Sequence, residues 1–367
     1  MNSPEDKRAH SRYACAIGTL LALGLIWSAY VFATAHAPPG TSLKTWLDGS
    51  AGRQMDRELR LPGLARVDTA IAALRYRLFG DLGPHVVQGC PGWLFYRDGM
   101  HATASKSDPA FAQRLRLMRA WQDKLRSRGV KLLVVVVPDK SRIQQPQLCG
   151  ASFSIAMRDR LDAWEAALKE ADVRYADLRR PLLDVHTAFF RTDVHMNGRG
   201  AAAAAQAVAH NALAILGSTG TQRYSAIRVQ PPQPRVGDLI VLAGLADAPD
   251  LWRPAPDMER VEDIQPIRTG GLLDDTPPVE VMLAGSSNGR RSLFAERLGK
   301  LLGREIWNRS QDGGQFAGAL MTALHTDTDW PASLKLVIWE FSEMALSLPL
   351  TPAETSAIAE LDKHHAL

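Results

Sequence analysis

Leu132-Leu133-Val134-Val135-Val136-Val137, closed by Pro138, is the stretch that decides the fold. It runs without a polar break and is rich in β-branched residues. A strand with one solvated face alternates apolar and polar positions. A continuous run suits a strand buried on both faces, as in a parallel sheet. The flanking pattern agrees. Upstream, Phe111, Leu115, Met118, Trp121 and Leu125 have helical spacing, with Ser107 or Asp108 available as N-cap. Downstream, Met157, Leu161, Trp164 and Leu168 mark another helix, Val173–Leu178 another strand, and the Ala-rich stretch Arg199–Leu216 a further helix. The interval 217–278, rich in Pro and Gly, breaks the alternation and reads as an insertion or cap over the sheet. Inside it Leu239–Leu242 is strand-like, and earlier in the chain Gly92–Tyr96 reads as a short strand with a turn at Asp98-Gly99. The alternation then resumes with strand 279–284, helix 290–302, strand 304–308, helix 313–325 and strand 334–341. Strands alternating with helices give an α/β fold, a parallel sheet flanked by helices with right-handed crossovers. Ligands in such folds bind beyond the carboxyl ends of the strands.

Ser287 lies at such an end, where Val279–Ala284 breaks into Gly285-Ser286-Ser287-Asn288. Thr192-Asp193-Val194-His195-Met196-Asn197-Gly198 stands just before the Ala-rich helix, at a comparable edge. A serine hydroxyl is a poor nucleophile at neutral pH. A histidine can take its proton, and a carboxylate can orient the ring and stabilise the imidazolium. Ser287 as nucleophile, His195 as base and Asp193 as orienting acid are therefore the candidate catalytic residues, with Ser286 as an alternative nucleophile. Asp193 reaches the ring only if the backbone turns here, and Gly198 and Gly200 allow a tight loop. The backbone N–H of Ser287 or Asn288 and the polar loop Asn308–Gly314 can supply donors to an oxyanion. Lys140, Asn288, Asn308 and Gln311 are the candidate substrate contacts.

Each residue also has a plainer reading. A serine after a strand is most often a turn or N-cap residue. Asp-x-His in a polar loop is commonly a solvated turn, and Lys140 can be a solvated loop charge. Glu340, closing an apolar strand, reads as a satisfied buried group or as a wall of the site. Asp184-Val185-His186 adds a second Asp-x-His, but with Asp193 and His195 it matches no standard ligand spacing, and no Cys/His set has zinc-finger spacing. No metal is expected.

The 367 residues, 46% apolar and 22% charged, suffice for one large domain or two ordinary ones with a substantial core. A formal charge of +4 without a long Lys/Arg block gives no reason to expect nucleic-acid binding. Tyr13–Ala35 carries no charged side chain. As a helix it would be about 34 Å long at ~1.5 Å per residue, enough for a hydrocarbon core of roughly 30 Å. Lys7, Arg8 and Arg12 precede it, so the short N-terminus is expected to stay cytoplasmic and the remainder to be exported. Ala33-Thr34-Ala35 resembles a cleavage site, which makes a cleaved signal peptide the competing reading; the apolar run exceeds the ~7–15 residues usual for a signal core and favours an uncleaved anchor. Cys15 falls inside the anchor, while Cys90 and Cys149 would face an oxidising compartment, as a disulfide or as two free thiols.

In order along the chain, these segments resemble the SGNH-hydrolase-like domain of the alginate O-acetyltransferase family, of the AlgJ/AlgX type, over roughly residues 85–345. Gly92-Trp93-Leu94-Phe95 resembles the family's early Gly-Trp-Leu-Phe segment, and Val137-Pro138-Asp139-Lys140 its strand ending in Pro-x-Lys. Thr192-Asp193-Val194-His195 resembles the catalytic Asp-x-His pair, and Gly285-Ser286-Ser287 the Gly-x-Ser nucleophile turn. Gly313-Gly314 and Trp339-Glu340-Phe341 match later features. The chain departs from the family at Met196 and Asn288, where an aromatic residue is frequent. Those departures bear on the glycan-contacting surface and leave the triad intact.

The resemblance implies an SGNH-hydrolase-like, flavodoxin-like sheet and a periplasmic enzyme held in the bacterial inner membrane. That enzyme would acetylate an exopolysaccharide, alginate-like or cellulose or another, through acetyl-Ser287. It also implies a membrane O-acyltransferase partner that supplies acetyl groups, and no cofactor. An acetylesterase with the same triad and a non-catalytic glycan-binding subunit are the alternatives. The expected organisation is a cytoplasmic tip and membrane anchor at 1–36, a linker at 37–84 with a short helix at 67–79, a catalytic domain at 85–345 and a C-terminal tail at 346–367. No carbohydrate-binding domain is expected after it, since the chain ends soon after Glu343.

Overall fold

The computed structural model describes residues 4–34, 45, 64–101, 108–228, 230–268, 278–326 and 330–365. The chain divides into two compact units, 1–71 and 72–367. The first carries the helix Pro4–Thr34, whose segment Tyr13–Val31 is long and apolar enough to cross a membrane. Such a helix is what a signal anchor or a signal peptide requires. Ala35 and most of the expected linker before residue 64 lie outside the described residues. The short helix expected at 67–79 spans Leu64–Phe79.

The strands, in chain order, are β1 (Val86–Gln88), β2 (Leu94–Tyr96), β3 (Lys131–Val137), β4 (Arg174–Asp177), β5 (Tyr224–Arg228), β6 (Gln233–Arg235), β7 (Asp257–Glu259), β8 (Glu262–Pro266), β9 (Val281–Ala284), β10 (Ile306–Asn308) and β11 (Leu336–Ser342). Five of them form one sheet in the order β10-β9-β11-β3-β4, every pairing parallel. β3, the strand read first from the sequence, lies inside the sheet and pairs along its whole length with β11. Because the strands run the same way, their carboxyl ends share one edge.

Both faces of the sheet are covered, as the unbroken β3 run requires. Leu132, Val134 and Val136 face one core with Trp121, Trp164, Phe316, Trp339 and Phe341. Leu133, Val135 and Val137 face the other, with Phe294, Leu298 and the alanines of the helix Gly198–Leu216. Ala201, Ala204, Ala205, Ala209 and Ala212 are buried there, and such small side chains let a helix approach the sheet closely. The first core is covered by the helices Pro109–Ser127, capped by Asp108, and Ile155–Glu170, capped by Ser154.

Three local expectations need correction. Leu239–Leu242 belongs to a short helix, Asp238–Leu242, that buries Leu239 and Ile240 and exposes Val241 and Leu242; so short an apolar run has no period to separate strand from helix. Asp98-Gly99 lies in the helical turn Arg97–Met100, packed so closely that a Cβ on Gly99 would fall 2.1 Å from Asp139 Oδ2. The expected tail holds the helix Pro352–His365, anchored by a fully buried pair between Arg114 and Glu354 at 2.8 Å. A partner 240 residues away leaves no local signature.

The described residues of the interval 217–278 add no strand to the central sheet. They form two separate antiparallel pairs, β5–β8 and β6–β7. Cys90 and Cys149 are joined as a disulfide, tying the β1–β2 region to the chain beyond β3.

Candidate active site

Four segments converge at the carboxyl edge of the sheet. The turn after β9 carries Ser287, the loop before the helix Gly198–Leu216 carries Asp193 and His195, the end of β11 carries Glu340, and the end of β3 leads into Lys140. His195 Nε2 lies 2.8 Å from Ser287 Oγ, and its Nδ1 lies 2.6 Å from Asp193 Oδ1. Asp193 is fully buried and His195 is 3% exposed. The relay needs Nδ1–H facing the carboxylate, which leaves Nε2 free to accept the serine proton.

Asp193 and His195 meet because the loop turns back on itself. The His195 N–H donates to Asp193 Oδ1 at 3.1 Å, a turn closed by the aspartate side chain. Phe190 N–H donates to His195 O, and Asn197 Nδ2 donates to the carbonyls of Thr187 and Phe189. Gly198 and Gly200, expected to allow a tight loop here, open the following helix instead. Gly200 is needed for approach, since a Cβ there would sit 2.0 Å from Ala188 O.

The inserted segment then clamps the loop from outside. Asp257 on β7 accepts from the N–H groups of Arg191 and Thr192 and from Thr192 Oγ1. Arg235 on β6 donates to Asp193 Oδ2 at 2.9 Å, with its guanidinium over the Phe190 ring. Burial alone would raise the Asp193 pKa, but hydrogen bonds from His195 and Arg235 and their charges outweigh it and hold the carboxyl well below the usual carboxylate range. Asp238 places a second carboxylate 3.5 Å from His195 Nδ1, itself paired with Arg291 at 2.7 Å. Sequence reasoning missed Arg235, Asp238 and Asp257, which lie in an irregular segment where no periodicity marks an inward-facing charge.

Asp193, His195 and Asp238 are also, among the described residues, the one group of acidic and imidazole side chains close enough to share a cation. The Asp184-Val185-His186 pair stays apart from it. Asp184 is exposed and bonded to Arg180.

Glu340, 2% exposed, braces the nucleophile turn. Its Oε2 accepts from Ser286 N–H at 2.7 Å and Gly289 N–H at 3.1 Å, and its Oε1 accepts from Ser286 Oγ at 2.8 Å. Burial pushes its carboxyl up to about 7, against the pull of those bonds. Ser286 Oγ is thus occupied by the brace, whereas Ser287 Oγ is the hydroxyl bonded to His195.

The candidate substrate contacts sort by geometry. Lys140 Nζ donates to the carbonyls of Leu94, Arg191 and Asp193 at 2.6, 2.7 and 3.0 Å, so its three hydrogens are taken. It lies over the rings of Trp93 and Phe95, and burial pushes its ammonium down to about 7. The lysine joins β2 to the Asp193 loop and has no donor left for a ligand. Asn308 Nδ2 donates to Gly289 O and its Oδ1 accepts from Ser310 N–H, so Asn308 holds the two turns together. Gln311 N–H is bonded to Gly285 O. Asn288, 7% exposed, lies beside Ser287 with its Oδ1 accepting from Met196 N–H at 3.5 Å. The two residues, with His195, line a cavity of about 330 Å³ whose other walls include Tyr96, Val137, Phe189, Leu239, Leu242 and Met344. Asn288 N–H is taken up by Ser286 Oγ, whereas among the described residues no acceptor meets the N–H of Ser287.

Residues 86–343 match the family described as "SGNH hydrolase-like domain, acetyltransferase AlgX". The chain is similar to the probable alginate O-acetylase AlgJ of Azotobacter vinelandii, with 27% identity over 361 residues, 94% of this chain and 91% of that protein. It is likewise 27% identical to the Pseudomonas putida AlgJ over 287 residues, 76% of this chain and 74% of the relative. Among solved structures, the O-acetyltransferase domain of Pseudomonas putida AlgJ superposes with a TM-score of 0.65 at 25% identity, over 77% of this chain and all of that domain. Pseudomonas aeruginosa AlgX superposes with a TM-score of 0.56 at 25% identity, over 75% of this chain and 68% of that one.

Proposed function

Because the chain belongs to the family of SGNH hydrolase-like acetyltransferases, we propose that it transfers acetyl groups to hydroxyls of an exopolysaccharide through an acetyl-Ser287 intermediate. The observation that carries the reading is the relay Asp193–His195–Ser287, with contacts of 2.6 and 2.8 Å. In the first half-reaction Ser287 Oγ attacks the acetyl carbonyl and passes its proton to His195 Nε2. The bond between the acetyl carbon and the donor's leaving group breaks, and the leaving group takes that proton. In the second, a sugar hydroxyl attacks the acetyl-serine and gives its proton to His195. Ser287 then departs and recovers a proton from the ring. Asp193 stabilises the imidazolium in both, and the free N–H of Ser287 serves the oxyanion.

The relatives' names point to alginate as the acceptor polymer, and cellulose or another exopolymer fits the same chemistry. The N-terminal apolar helix supports a membrane-anchored protein with its catalytic domain in the periplasm, where the disulfide is stable. A membrane O-acyltransferase is the partner proposed to deliver acetyl groups. Val137, Leu239, Leu242 and Met344 are the apolar part of the lining, and transfer to a sugar prevails over hydrolysis to the extent that such a lining limits water beside the acyl-enzyme.

The test is to incubate the detergent-solubilised full chain with p-nitrophenyl acetate and either mannuronate or gluco-oligosaccharides. Acetylated sugar is followed by mass spectrometry and released acetate in parallel. Acetylated sugar from the wild type and none from Ser287→Ala supports transfer. Acetate release with every sugar left unmodified would make the protein an esterase, and neither product would make it a non-catalytic subunit.

A further inference from the structure

Ser287 is held on His195 by a turn that makes few bonds of its own. The described bonds within it are Asn288 N–H to Ser286 Oγ at 3.2 Å and Gly289 N–H to Ser286 O at 3.1 Å. Asn308 Nδ2 and Gln311 N–H hold the carbonyls of Gly289 and Gly285 at its two ends, and its N–H groups and the Ser286 hydroxyl are held from the neighbouring strand. β11 lies beside β9 with Trp339 opposite Ala284, so Glu340 stands level with the point where β9 ends and the turn begins. Both of its carboxylate oxygens are used on this turn, on two backbone N–H groups and the Ser286 hydroxyl.

The Ser286 hydroxyl, by donating to Glu340, keeps its lone pairs for Asn288 N–H. Glu340 therefore reaches both residues that flank the nucleophile. The turn is also too crowded to find another seat. A Cβ on Gly285 would fall 2.5 Å from Ser310 Oγ and 2.8 Å from Glu340 Oε2. Among the described residues no Lys or Arg is bonded to this carboxylate. A buried acid needed only for packing would be a costly choice. One whose every acceptor bond ends on the nucleophile turn has a more specific use.

We propose that Glu340 is a positioning residue for acyl transfer, holding the Ser286–Gly289 turn so that the Ser287 hydroxyl stays on His195 Nε2 and its N–H faces the incoming carbonyl. The proposal rests on the acyl-transfer reading above. Misplacing a reacting group by about 1 Å can cost roughly 100-fold in rate.

The experiment compares wild type, Glu340→Gln, Glu340→Ala and Ser286→Ala as detergent-solubilised full chains. Pre-steady-state mixing with p-nitrophenyl acetate reads the acylation rate, the burst amplitude and the apparent KM, and labelling with a sulfonyl fluoride counts competent sites. For Glu340→Ala the acylation rate per competent site is expected to fall roughly 100-fold with KM nearly unchanged. Glu340→Gln, which keeps one acceptor oxygen for the turn, should recover most of that loss, and Ser286→Ala should fall between. A purely structural glutamate would lower the burst amplitude and leave the rate per site at the wild-type value, which overturns the proposal. If Glu340→Ala does not fold, wild-type rates per site in both Glu340→Gln and Ser286→Ala overturn it equally. A wild-type chain that forms no acyl-Ser287 sinks the acyl-transfer reading itself, and this one with it.

Discussion

Two buried carboxylates flank the Ser287–His195 pair, and their surroundings push them in opposite directions. Asp193 shares its oxygens with the His195 ring and the Arg235 guanidinium, and those partners hold it ionised far into acid. Glu340 faces only neutral donors from the Ser286–Gly289 turn, and burial raises its carboxyl to about 7. The difference follows from where each partner comes from. Asp193 is reached by an arginine of the inserted segment, whereas Glu340 is enclosed between strands of the central sheet. Asp193 is fitted to stabilise a positive charge that appears on His195 during reaction. Glu340 is fitted to hold a backbone turn still. Environments that separate two acids in this way are how one fold assigns them different tasks.

The contrast is most sharply broken at Asp193. Asp193→Asn keeps the shape but offers His195 an amide in place of a carboxylate, and kcat for acetyl transfer is expected to fall about 10³–10⁴-fold. A variant within tenfold of wild type would remove Asp193 from the relay. Arg235→Met should act in the same direction and less, by roughly tenfold for one lost charge-assisted hydrogen bond.

Arg235→Met carries a second signature. Asp193 has a folded pKa below the ordinary aspartate value of 3.8, so its contribution to stability is present above that value and lost as pH falls through the folded one. Losing Arg235 moves the folded pKa upward and shifts acid unfolding to higher pH, which denaturant titrations between pH 2 and 5 would detect. Glu340 has the opposite sign. Its folded pKa, about 7, lies above the ordinary glutamate value of 4.5, so the protonated form's contribution is complete below 4.5 and is lost as pH rises through 7. Glu340→Gln should flatten the fall in stability across that window, and an unchanged slope would contradict the burial-driven shift. Smallest in its effect on chemistry is the disulfide, which bonds to neither acid. Replacing Cys90 and Cys149 by serine should cost roughly 2–4 kcal/mol of stability and leave kcat at the wild-type value at temperatures where the chain stays folded.

The same contrast shows what could be read from the sequence. β3, β9 and β11 were legible because a strand buried on both faces is written as a continuous apolar run, and Ser287 because it follows the end of one. Asp193 and His195 were legible as a local pair. Glu340 was visible as an acid at the end of an apolar strand, but its partners on the Ser286–Gly289 turn lie 51 to 54 residues away, so its direction was not. Arg235, Asp238 and Asp257 left no trace, since an irregular segment has no period from which to infer which charges turn inward. Lys140 misled for a related reason. A lysine in a loop reads as a free cation unless the three carbonyls that surround it are known.

The central claim is that Ser287 carries the acetyl group and that His195 activates it. Mass spectrometry of the full chain after brief exposure to p-nitrophenyl acetate tests it most directly, with Ser287→Ala and His195→Ala alongside. A single acetyl mapped to Ser287 in the wild type and missing from both variants is the predicted result. An acetyl on another residue, or an adduct on Ser287 that persists at the wild-type rate in His195→Ala, would contradict it.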